Sequence, residues 1–261
     1  MNTLSPLTVM VTRPSPQGEI LSDILQQQGA NPIFFPTIDI ISLTDLPDFR
    51  HAVTQLHVFN WLIFISPQAV QQAAKYIHMC WPSFPGHVKI AAVGGGTVRA
   101  LQQAHLPVHV SPPHHWNSEG LLALPDFQQI AQQKIALIRG EGGRTFLAEE
   151  LTQRGAKLAH IIAYRRCLPT VDVHPYLKLL HVKKIDIIIS TSCDILQNLI
   201  QLLGKMESKL YEVPLVVISA QMMSLAENRG FKTVLLAKNA SHEAILAILK
   251  DHICQMKLKK N

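Results

Sequence analysis

Small and hydroxyl-bearing residues follow several strand-like apolar runs of this sequence, each directly before a helical pattern. These turns are Thr12-Arg13-Pro14, Ser66-Pro67-Gln68, Gly94-Gly95-Gly96-Thr97, Arg139-Gly140-Glu141-Gly142-Gly143-Arg144, Ser190-Thr191-Ser192 and Ser219-Ala220-Gln221. Free backbone N–H groups and the helix dipole make the first turn of a helix suitable for binding an anion. One such turn is weak evidence, because small N-cap residues are also common for stability alone. Six turns of one kind predict a ligand with several anionic groups.

Tyr164 is the aromatic residue with the best position for a catalytic role. It follows the apolar run Ile161-Ile162-Ala163 and precedes Arg165 and Arg166. The simpler interpretation is a strand tyrosine that is half buried by packing. The alternative is a phenol directed at a cleft, where it can donate a proton to a leaving oxygen.

The motifs of several other enzyme classes are missing. Gly94-Gly95-Gly96 does not form the GxGxxG pattern of a dinucleotide site, and Gly140–Gly143 lacks the GK[ST] of a phosphate loop. No GxSxG elbow is present. His114-His115 has no third histidine or clustered carboxylate nearby, and the four cysteines form no CxxC pair. We therefore expect no dinucleotide site, no phosphate loop, no metal site and no disulfide framework.

The elements that must position these turns form an internal repeat. Four pairs of segments resemble each other: Val9–Arg13 with Ala136–Arg139, Trp61–Ser66 with Asp186–Thr191, Ile90–Gly94 with Leu215–Ser219, and Asn117–Leu122 with Ser241–Leu246. The two members of every pair lie 124 to 126 residues apart. Because a common offset over four pairs is much harder to obtain by chance than one similar pair, we predict two copies of one unit.

Strands and helices alternate in both copies. The predicted strands lie near residues 7–13, 31–36, 60–65, 87–93, 107–110, 134–139, 157–166, 185–190, 214–218 and 232–236. The predicted helices lie near residues 15–29, 67–79, 95–105, 117–124, 143–155, 192–203, 220–229 and 241–257. The strands are rich in Ile and Val without polar alternation, which is typical of parallel strands covered by helices on both faces. The pattern predicts a doubly wound α/β architecture, in which ligands bind beyond the carboxyl ends of the strands.

The composition limits the partners. A chain of 261 residues is long enough for two domains with hydrophobic cores. No apolar run reaches the roughly 18 residues that a membrane span needs, and no signal peptide is recognisable, so we expect a cytoplasmic protein without a membrane partner. Since no obvious exposed apolar stripe calls for a dimer, we expect a monomer. The net charge of +6 suits an acidic partner. The basic residues are dispersed and have no aromatic platform among them, which argues against nucleic acid.

Several short segments match a known family by their order and spacing. They are Val11-Thr12-Arg13-Pro14, Gly29-Ala30, Phe35-Pro36, Phe64-Ile65-Ser66 with Ala69-Val70, Ala92-Val93-Gly94 with Thr97, Ser118–Leu122, Leu137–Arg144, Arg154-Gly155-Ala156 and Tyr164-Arg165-Arg166. Over nearly its full length, the sequence resembles the uroporphyrinogen-III synthases.

The resemblance implies an arrangement that composition does not show. It implies two doubly wound parallel-sheet domains, joined by a two-stranded linker and facing each other across a cleft. In this family the chain starts in one domain, builds the other and returns. We therefore expect domain one to contain residues 1–36 and 172–261, domain two to contain residues 43–163, and the linker strands to be residues 37–42 and 164–171.

The resemblance also implies a reaction. The substrate is hydroxymethylbilane, a linear tetrapyrrole with eight carboxylates, and loss of its terminal hydroxyl gives an azafulvene. The last ring attacks through its substituted carbon to form a spiro intermediate, which fragments and recloses with ring D inverted. Water is lost, and no metal or organic cofactor is implied. A flexible substrate must be folded so that its ends meet, which is catalysis by positioning.

Site residues follow from the same resemblance. Tyr164 matches the family's cleft tyrosine, and we expect it to donate a proton to the leaving hydroxyl. The residues expected to bind carboxylates, largely through backbone N–H groups, are Ser66, Gly94, Thr97, Ser118, Gly140, Gly142, Thr191, Ser192 and Ser219. Arg13, Arg139 and Arg144 are candidate charge partners, although each can equally serve a structural salt bridge. The family often has glycine and then hydroxyl residues where this chain has Ser219–Met222, which weakens the expectation for that turn.

Two other functions fit the same sequence features. One is a non-catalytic, two-lobed binder of a small polyanionic ligand. The other is a degenerate homologue that regulates or binds a partner. For an active enzyme, we expect transient contact with the upstream bilane-forming enzyme, because that enzyme hands over an unstable product.

Overall fold

The computed structural model describes residues 4–204 and 207–258. Within these ranges the strands are β1 (Thr8–Val11), β2 (Asn31–Phe34), β3 (Asp39–Ser42), β4 (Trp61–Phe64), β5 (Lys89–Ala92), β6 (Lys134–Gly140), β7 (Lys157–Cys167), β8 (Ile187–Ile189), β9 (Leu215–Val217) and β10 (Val234–Leu236). The helices are α1 (Gln17–Gln27), α2 (Pro47–Thr54), α3 (Pro67–Cys80), α4 (Gly95–Gln103), α5 (Ser118–Leu122), α6 (Phe146–Gln153), α7 (His174–His181), α8 (Cys193–Leu203), α9 (Glu207–Leu210), α10 (Ala220–Asn228) and α11 (His242–Leu258).

The chain divides into two compact units. Unit 1 comprises Met1–Asp39 and Cys167–Asn261, and unit 2 comprises Ile40–Arg166. The chain therefore starts in unit 1, builds unit 2 and returns. The expected linker segments, residues 37–42 and 164–171, contain the two points at which the chain passes between units, and their role as a linker stays a prediction.

Unit 1 is built on a five-stranded sheet with the order β10-β9-β8-β1-β2. All its strand pairs are parallel. Successive residues of a strand point to opposite faces, so Val9 and Val11 pack with α1 and α11 while Met10 packs with α7, α8 and α10. Both faces of the central strands are buried, which explains why β8 and β9 are apolar at every position and β1 is apolar from Val9 onward.

Unit 2 is built on a second five-stranded sheet, with the order β3-β7-β6-β4-β5. Strands β7, β6, β4 and β5 pair in parallel. Leu62 and Phe64 of β4 face a core formed with α2, α3 and α4, whereas Trp61 and Ile63 face α5 and α6. Together, the two sheets confirm the predicted α/β class with parallel sheets.

Each of the two sequence copies contributes strands to both units. In unit 1, β1 and β2 of the first copy pair with β8, β9 and β10 of the second. In unit 2, β6 and β7 of the second copy pair with β4 and β5 of the first. Each sheet therefore depends on one strand pair between the copies: β1 with β8, and β4 with β6.

Some predicted elements differ from the structure. The predicted strand near 107–110 is wrong, since Val110 forms only an isolated parallel bridge with Ala91; Pro107 has no N–H group to contribute to a ladder. The helix predicted from residue 143 begins at Phe146, because Gly142 and Gly143 have φ angles of +69° and +84°. Strand β3 falls within the predicted linker strand 37–42, whereas the helices α2, α7 and α9 were not predicted.

A chain cut between Gln128 and Gln129, both exposed, should fold only when both fragments are present. Fragment 1–128 retains two-stranded pieces of each sheet, β1 with β2 and β4 with β5, and such pieces are marginally stable alone. We expect circular dichroism to show little native structure in either fragment alone and recovery of most of the intact signal on mixing. A cooperative thermal transition in isolated fragment 1–128 would contradict the conclusion that each sheet needs strands from both sequence copies.

Candidate active site

The connections of unit 2 reverse direction between β4 and β6. From β4 the chain proceeds through α3 to β5, on one side of the sheet order, and from β6 it proceeds through α6 to β7, on the other. In doubly wound sheets, ligands bind in the crevice outside the carboxyl ends of the two strands at such a switch point. Ser66 follows β4 and Gly140 ends β6, so both lie at this place.

Unit 1 has an equivalent switch point between β1 and β8. The chain leaves β1 through α1 to β2 and leaves β8 through α8 to β9. Arg13 follows β1, while Thr191 and Ser192 follow β8. Thr12 holds the two strand ends together, since its buried hydroxyl donates a hydrogen bond to the Ile189 carbonyl at 2.6 Å.

The side chain of Tyr164 crosses β6 to reach the switch point of unit 2. Tyr164 lies on β7, yet its Oη is 3.1 Å from Oγ of Ser66, which follows β4 on the far side of β6. The crossing occurs at Gly140, where an added Cβ would lie 2.6 and 2.7 Å from two ring carbons of Tyr164. The pairing of β6 with β7 shifts register between Arg139 and Gly140, so that Gly140 lies opposite Tyr164. Gly140 therefore provides the space for the phenol.

Tyr164 is almost wholly buried, with 3% of its surface exposed. Its Oη also accepts a hydrogen bond from Nη2 of Arg166 at 3.4 Å, and this guanidinium lies 5.8 Å from the ring centroid. The Tyr164 carbonyl accepts the Glu141 N–H at 2.8 Å. Glu141 in turn pairs with Arg165, which lowers the pKa of the Glu141 carboxyl. These contacts fix both the backbone and the hydroxyl of Tyr164.

The loop after β6 is organised by Arg139. Its guanidinium donates hydrogen bonds to the carbonyls of Gly140, Gly142 and Arg144. Arg144 pairs with Glu119 at 3.2 Å, but both side chains are exposed, and such pairs contribute about 0–1 kcal/mol. The structure thus gives Arg139 a structural role in shaping the loop and engages Arg144 in a surface ion pair.

Three of the predicted serines act as helix N-caps. The hydroxyls of Ser66, Ser192 and Ser219 accept first-turn N–H groups of α3, α8 and α10 at 3.1, 3.2 and 3.3 Å. An N-cap hydroxyl stabilises its helix by about 1 kcal/mol. Each of these hydroxyls therefore already uses one acceptor position to stabilise its own helix.

The start of α4 is different because Gly94 has no side chain to cap the helix. The N–H groups of Gly95 and Gly96 have no hydrogen-bond partner in the part of the chain that the structure describes. Such open amides at a helix N-terminus suit an anion. Thr97, in the same turn, is only 2% exposed and offers little of its side chain to a ligand.

Ser118 is the first residue of the short helix α5, and the cap is its neighbour Asn117. The Asn117 side chain accepts the Gly120 N–H at 2.8 Å. Ser118 is partly exposed and forms no hydrogen bond through its hydroxyl within the described residues. Its hydroxyl is therefore available to a ligand, unlike the cap hydroxyls.

Arg13 combines partial burial with the lack of a carboxylate partner. Its Nη1 donates to the Ala240 carbonyl at 3.1 Å, and it forms no ion pair among residues 4–204 and 207–258. Burial lowers the pKa of Arg13 from its ordinary value, but an arginine remains a cation at neutral pH. Burial, followed by the charge of Arg13, lowers the pKa of His242. Arg13 is thus a cation at the switch point of unit 1 with no counter-ion among the described residues.

The sequence indicated the separate turns but not the contacts between them. It missed Arg166 as part of the site in unit 2, and it did not show that Thr12, which lies in a predicted turn, joins the ends of β1 and β8. Residues two apart on a strand point to the same face, so the spacing of Tyr164 and Arg166 was a usable signal. Within the described ranges, no group of three His, Cys, Asp or Glu residues suits a metal ion, and no helix is both long and apolar enough to cross a membrane.

Fold and site together define a class: a duplicated α/β protein with polar strand-end turns at two switch points. The sequence profile of the family described as uroporphyrinogen-III synthase HemD matches residues 19–247. The chain therefore belongs to the uroporphyrinogen-III synthase family, as the resemblance of its motifs predicted.

Individual relatives agree with this assignment. The chain is 30% identical over 249 residues to the uroporphyrinogen-III synthase of Escherichia coli K12, covering 94% of this chain and 100% of the relative. It is 30% identical over 246 residues to the Salmonella typhimurium LT2 enzyme, with the same coverage.

Two solved structures share the fold. A mutant uroporphyrinogen III synthase from Thermus thermophilus superposes with a TM-score of 0.62 at 16% identity, covering 98% of this chain and 100% of that one. The Helicobacter pylori 26695 uroporphyrinogen-III synthetase gives a TM-score of 0.59 at 16% identity, covering 93% and 97%. At these identities the likeness concerns the fold alone.

Replacing Gly140 by Ala should disturb the site with a limited loss of stability. The new methyl group would occupy the space of the Tyr164 ring and push its hydroxyl away from Ser66. Overpacking of this kind costs about 1–3 kcal/mol. We expect uroporphyrinogen III to form at least about tenfold more slowly, since tenfold in rate corresponds to about 1.4 kcal/mol. Rate assays and denaturant unfolding check both effects.

Gly86→Ala is the matched control, because an added Cβ there meets nothing within 4 Å. It should leave both rate and stability unchanged. A Gly140→Ala variant with the full wild-type rate would show that the position of Tyr164 at Ser66 does not matter.

Proposed function

We propose that this chain converts hydroxymethylbilane into uroporphyrinogen III, with inversion of ring D and loss of water, as a cyclising hydro-lyase. Membership in the family supports the proposed reaction. The contact between the hydroxyls of Tyr164 and Ser66, at the switch point of unit 2, supports the proposed location of the site. This is the place where a doubly wound sheet binds its ligand.

The charges of the protein suit an octacarboxylate substrate. The net charge is +6, and long-range attraction between opposite charges speeds encounter. Within residues 4–204 and 207–258, Arg13 is a cation without a carboxylate partner, and the N–H groups of Gly95 and Gly96 in the first turn of α4 have no hydrogen-bond partner. A charge-assisted hydrogen bond from such donors to a carboxylate is among the stronger polar interactions in proteins.

Our proposed roles place a proton source at the switch point of unit 2 and carboxylate ligands at the strand ends of each unit. Tyr164 supplies the proton that the leaving hydroxyl needs, and Arg13 pairs with a carboxylate. The proposed ligands of the remaining carboxylates, largely through backbone N–H groups, are Ser66, Gly94, Thr97, Ser118, Gly140, Gly142, Thr191, Ser192 and Ser219. Arg139 shapes the loop of Gly140 and Gly142, and Arg144 adds positive charge at the rim of that loop.

This set of residues favours positioning over covalent catalysis. Loss of the hydroxyl leaves a cationic azafulvene that reacts readily with the pyrrole ring at the other end of the substrate. The protein has to protonate the leaving oxygen and hold the chain ends together. Binding the carboxylates at fixed amides accomplishes the second task, because amides held by the fold require no reorganisation during the reaction.

We also propose a cytoplasmic location and transient contact with the enzyme that forms the bilane. Free hydroxymethylbilane closes spontaneously to the type I isomer. Direct transfer of the substrate would limit this side reaction.

The isomer composition of the product tests the proposed function. Freshly made hydroxymethylbilane is incubated with the protein, and the ratio of type III to type I product is measured by chromatography. We expect type III to dominate, whereas the reaction without protein yields type I. If the protein binds the bilane but yields only type I, the chain is a binder or a regulatory homologue.

Replacing Arg13 by Met should weaken substrate binding more than it slows chemistry. Hydrogen bonds to charged groups contribute about 1.5–3 kcal/mol, so we expect KM to rise at least about tenfold with kcat changed less than about threefold. Arg13→Lys should recover part of the loss. Arg229→Met removes the same charge from an exposed position after α10 and should leave KM unchanged. Equal KM values for both methionine variants would remove Arg13 from the site.

A further inference from the structure

The burial of Tyr164 raises the question of which group touches the substrate. Only 3% of Tyr164 is exposed, whereas Ser66, whose hydroxyl it contacts, is partly exposed. Building on the proposed function, we infer that the Ser66 hydroxyl contacts the leaving hydroxyl of the bilane. Tyr164 then supplies the proton through Ser66 and is not itself in contact with the substrate.

The hydrogen bonds at Ser66 leave one direction open for a ligand. A serine hydroxyl has one donor and two acceptor positions. One acceptor position takes the Ala69 N–H at 3.1 Å, and the Tyr164 hydroxyl at 3.1 Å can take the other. The Ser66 proton is then free to point at a substrate oxygen.

Arg166 sets the direction of the Tyr164–Ser66 hydrogen bond. A guanidinium can only donate, so Oη of Tyr164 accepts from Arg166 at 3.4 Å. With this donor beside it, the phenol best directs its own proton to Ser66. The positive charge of Arg166 also lies where it stabilises negative charge that develops on Oη.

The proposed proton transfer balances over the whole reaction. The bond between carbon and the leaving oxygen breaks, and this oxygen takes the Ser66 proton to become water. Ser66 recovers a proton from Tyr164, which leaves a tyrosinate beside the guanidinium of Arg166. The spiro intermediate fragments and recloses at the unsubstituted α-carbon of ring D. That carbon then loses its hydrogen as a proton, which restores the pyrrole, and the proton returns to the tyrosinate. The net change is the loss of one water molecule.

Variants at Ser66 separate proton transfer from helix capping. Ser66→Asn keeps an N-cap acceptor for α3 but cannot relay a proton, whereas Ser66→Thr keeps both functions. We expect Ser66→Asn and Ser66→Ala to lower kcat about tenfold or more with little change in KM. Ser66→Thr should restore most of the rate. Thermal unfolding should show that Ser66→Asn is nearly as stable as the wild type.

Tyr164→Phe removes the proton source and should lower kcat to a similar extent without unfolding the protein. The double variant Ser66→Asn/Tyr164→Phe should be no slower than the slower single variant, because both act on one proton path. Tyr76→Phe is the matched control. It removes a hydroxyl that bonds Asp45 near the C-terminal end of α3, whereas Ser66 caps the N-terminal end of this helix, and it should keep the full rate.

Solvent isotope effects give a readout that a purely structural role would not change. In mixtures of H₂O and D₂O, two protons moving together predict a curved dependence of kcat on the deuterium fraction. We expect curvature in the wild type and in Ser66→Thr, and a straight line in Ser66→Asn.

The outcomes distinguish failure of the relay from failure of the proposed function. A wild-type protein that yields no type III isomer overturns the proposed function. If the wild type is active, a full rate in Ser66→Asn overturns the relay, even where Ser66→Ala is slow. A linear isotope dependence in the wild type overturns it as well.

Discussion

The parallel pairing of β4 with β6, and of β1 with β8, is the interaction on which the rest of the structure depends. In each pair, one strand comes from each sequence copy. The chain leaves the two strands in opposite directions, so the pairing itself creates the switch point and its crevice. Sheet, core and candidate site in each unit therefore form together, and neither copy can complete a sheet alone.

A second constraint acts within unit 2, at the place where a side chain has to cross a strand. The phenol of Tyr164 reaches Ser66 only because Gly140 has no side chain and because the register shift sets Gly140 opposite Tyr164. Gly140 is required because a larger residue would collide with the Tyr164 ring. Gly142 is favoured for a different reason: its φ is +69°, while an added Cβ would meet nothing within 4 Å. Two glycines of one loop serve different physical purposes.

The sequence was sufficient for the α/β class, the repeat and most strand ends, because these depend on local apolar patterns. It was insufficient for contacts that depend on how the copies pair. Ser66 and Tyr164 are 98 positions apart, and nothing local predicts that their hydroxyls meet. The roles of the arginines also depend on their partners: Arg139 bonds three carbonyls of its own loop, while Arg13 has no carboxylate partner within the described residues. The family resemblance supplied the reaction, which no pattern of composition or spacing contains.

The proposed carboxylate ligands are backbone donors more than a cluster of cations. Hydroxyls such as those of Ser192 and Ser219 already cap their helices, so the groups that remain for carboxylates are amides fixed by the helices. On the proposed roles, many amides of similar strength share the binding energy, so removal of one side chain should leave most of the interaction intact. Proton transfer cannot be spread in this way, because it requires donors in a defined order. A protein of this design should tolerate most single changes among its carboxylate ligands and be most sensitive at Gly140, Tyr164 and Ser66.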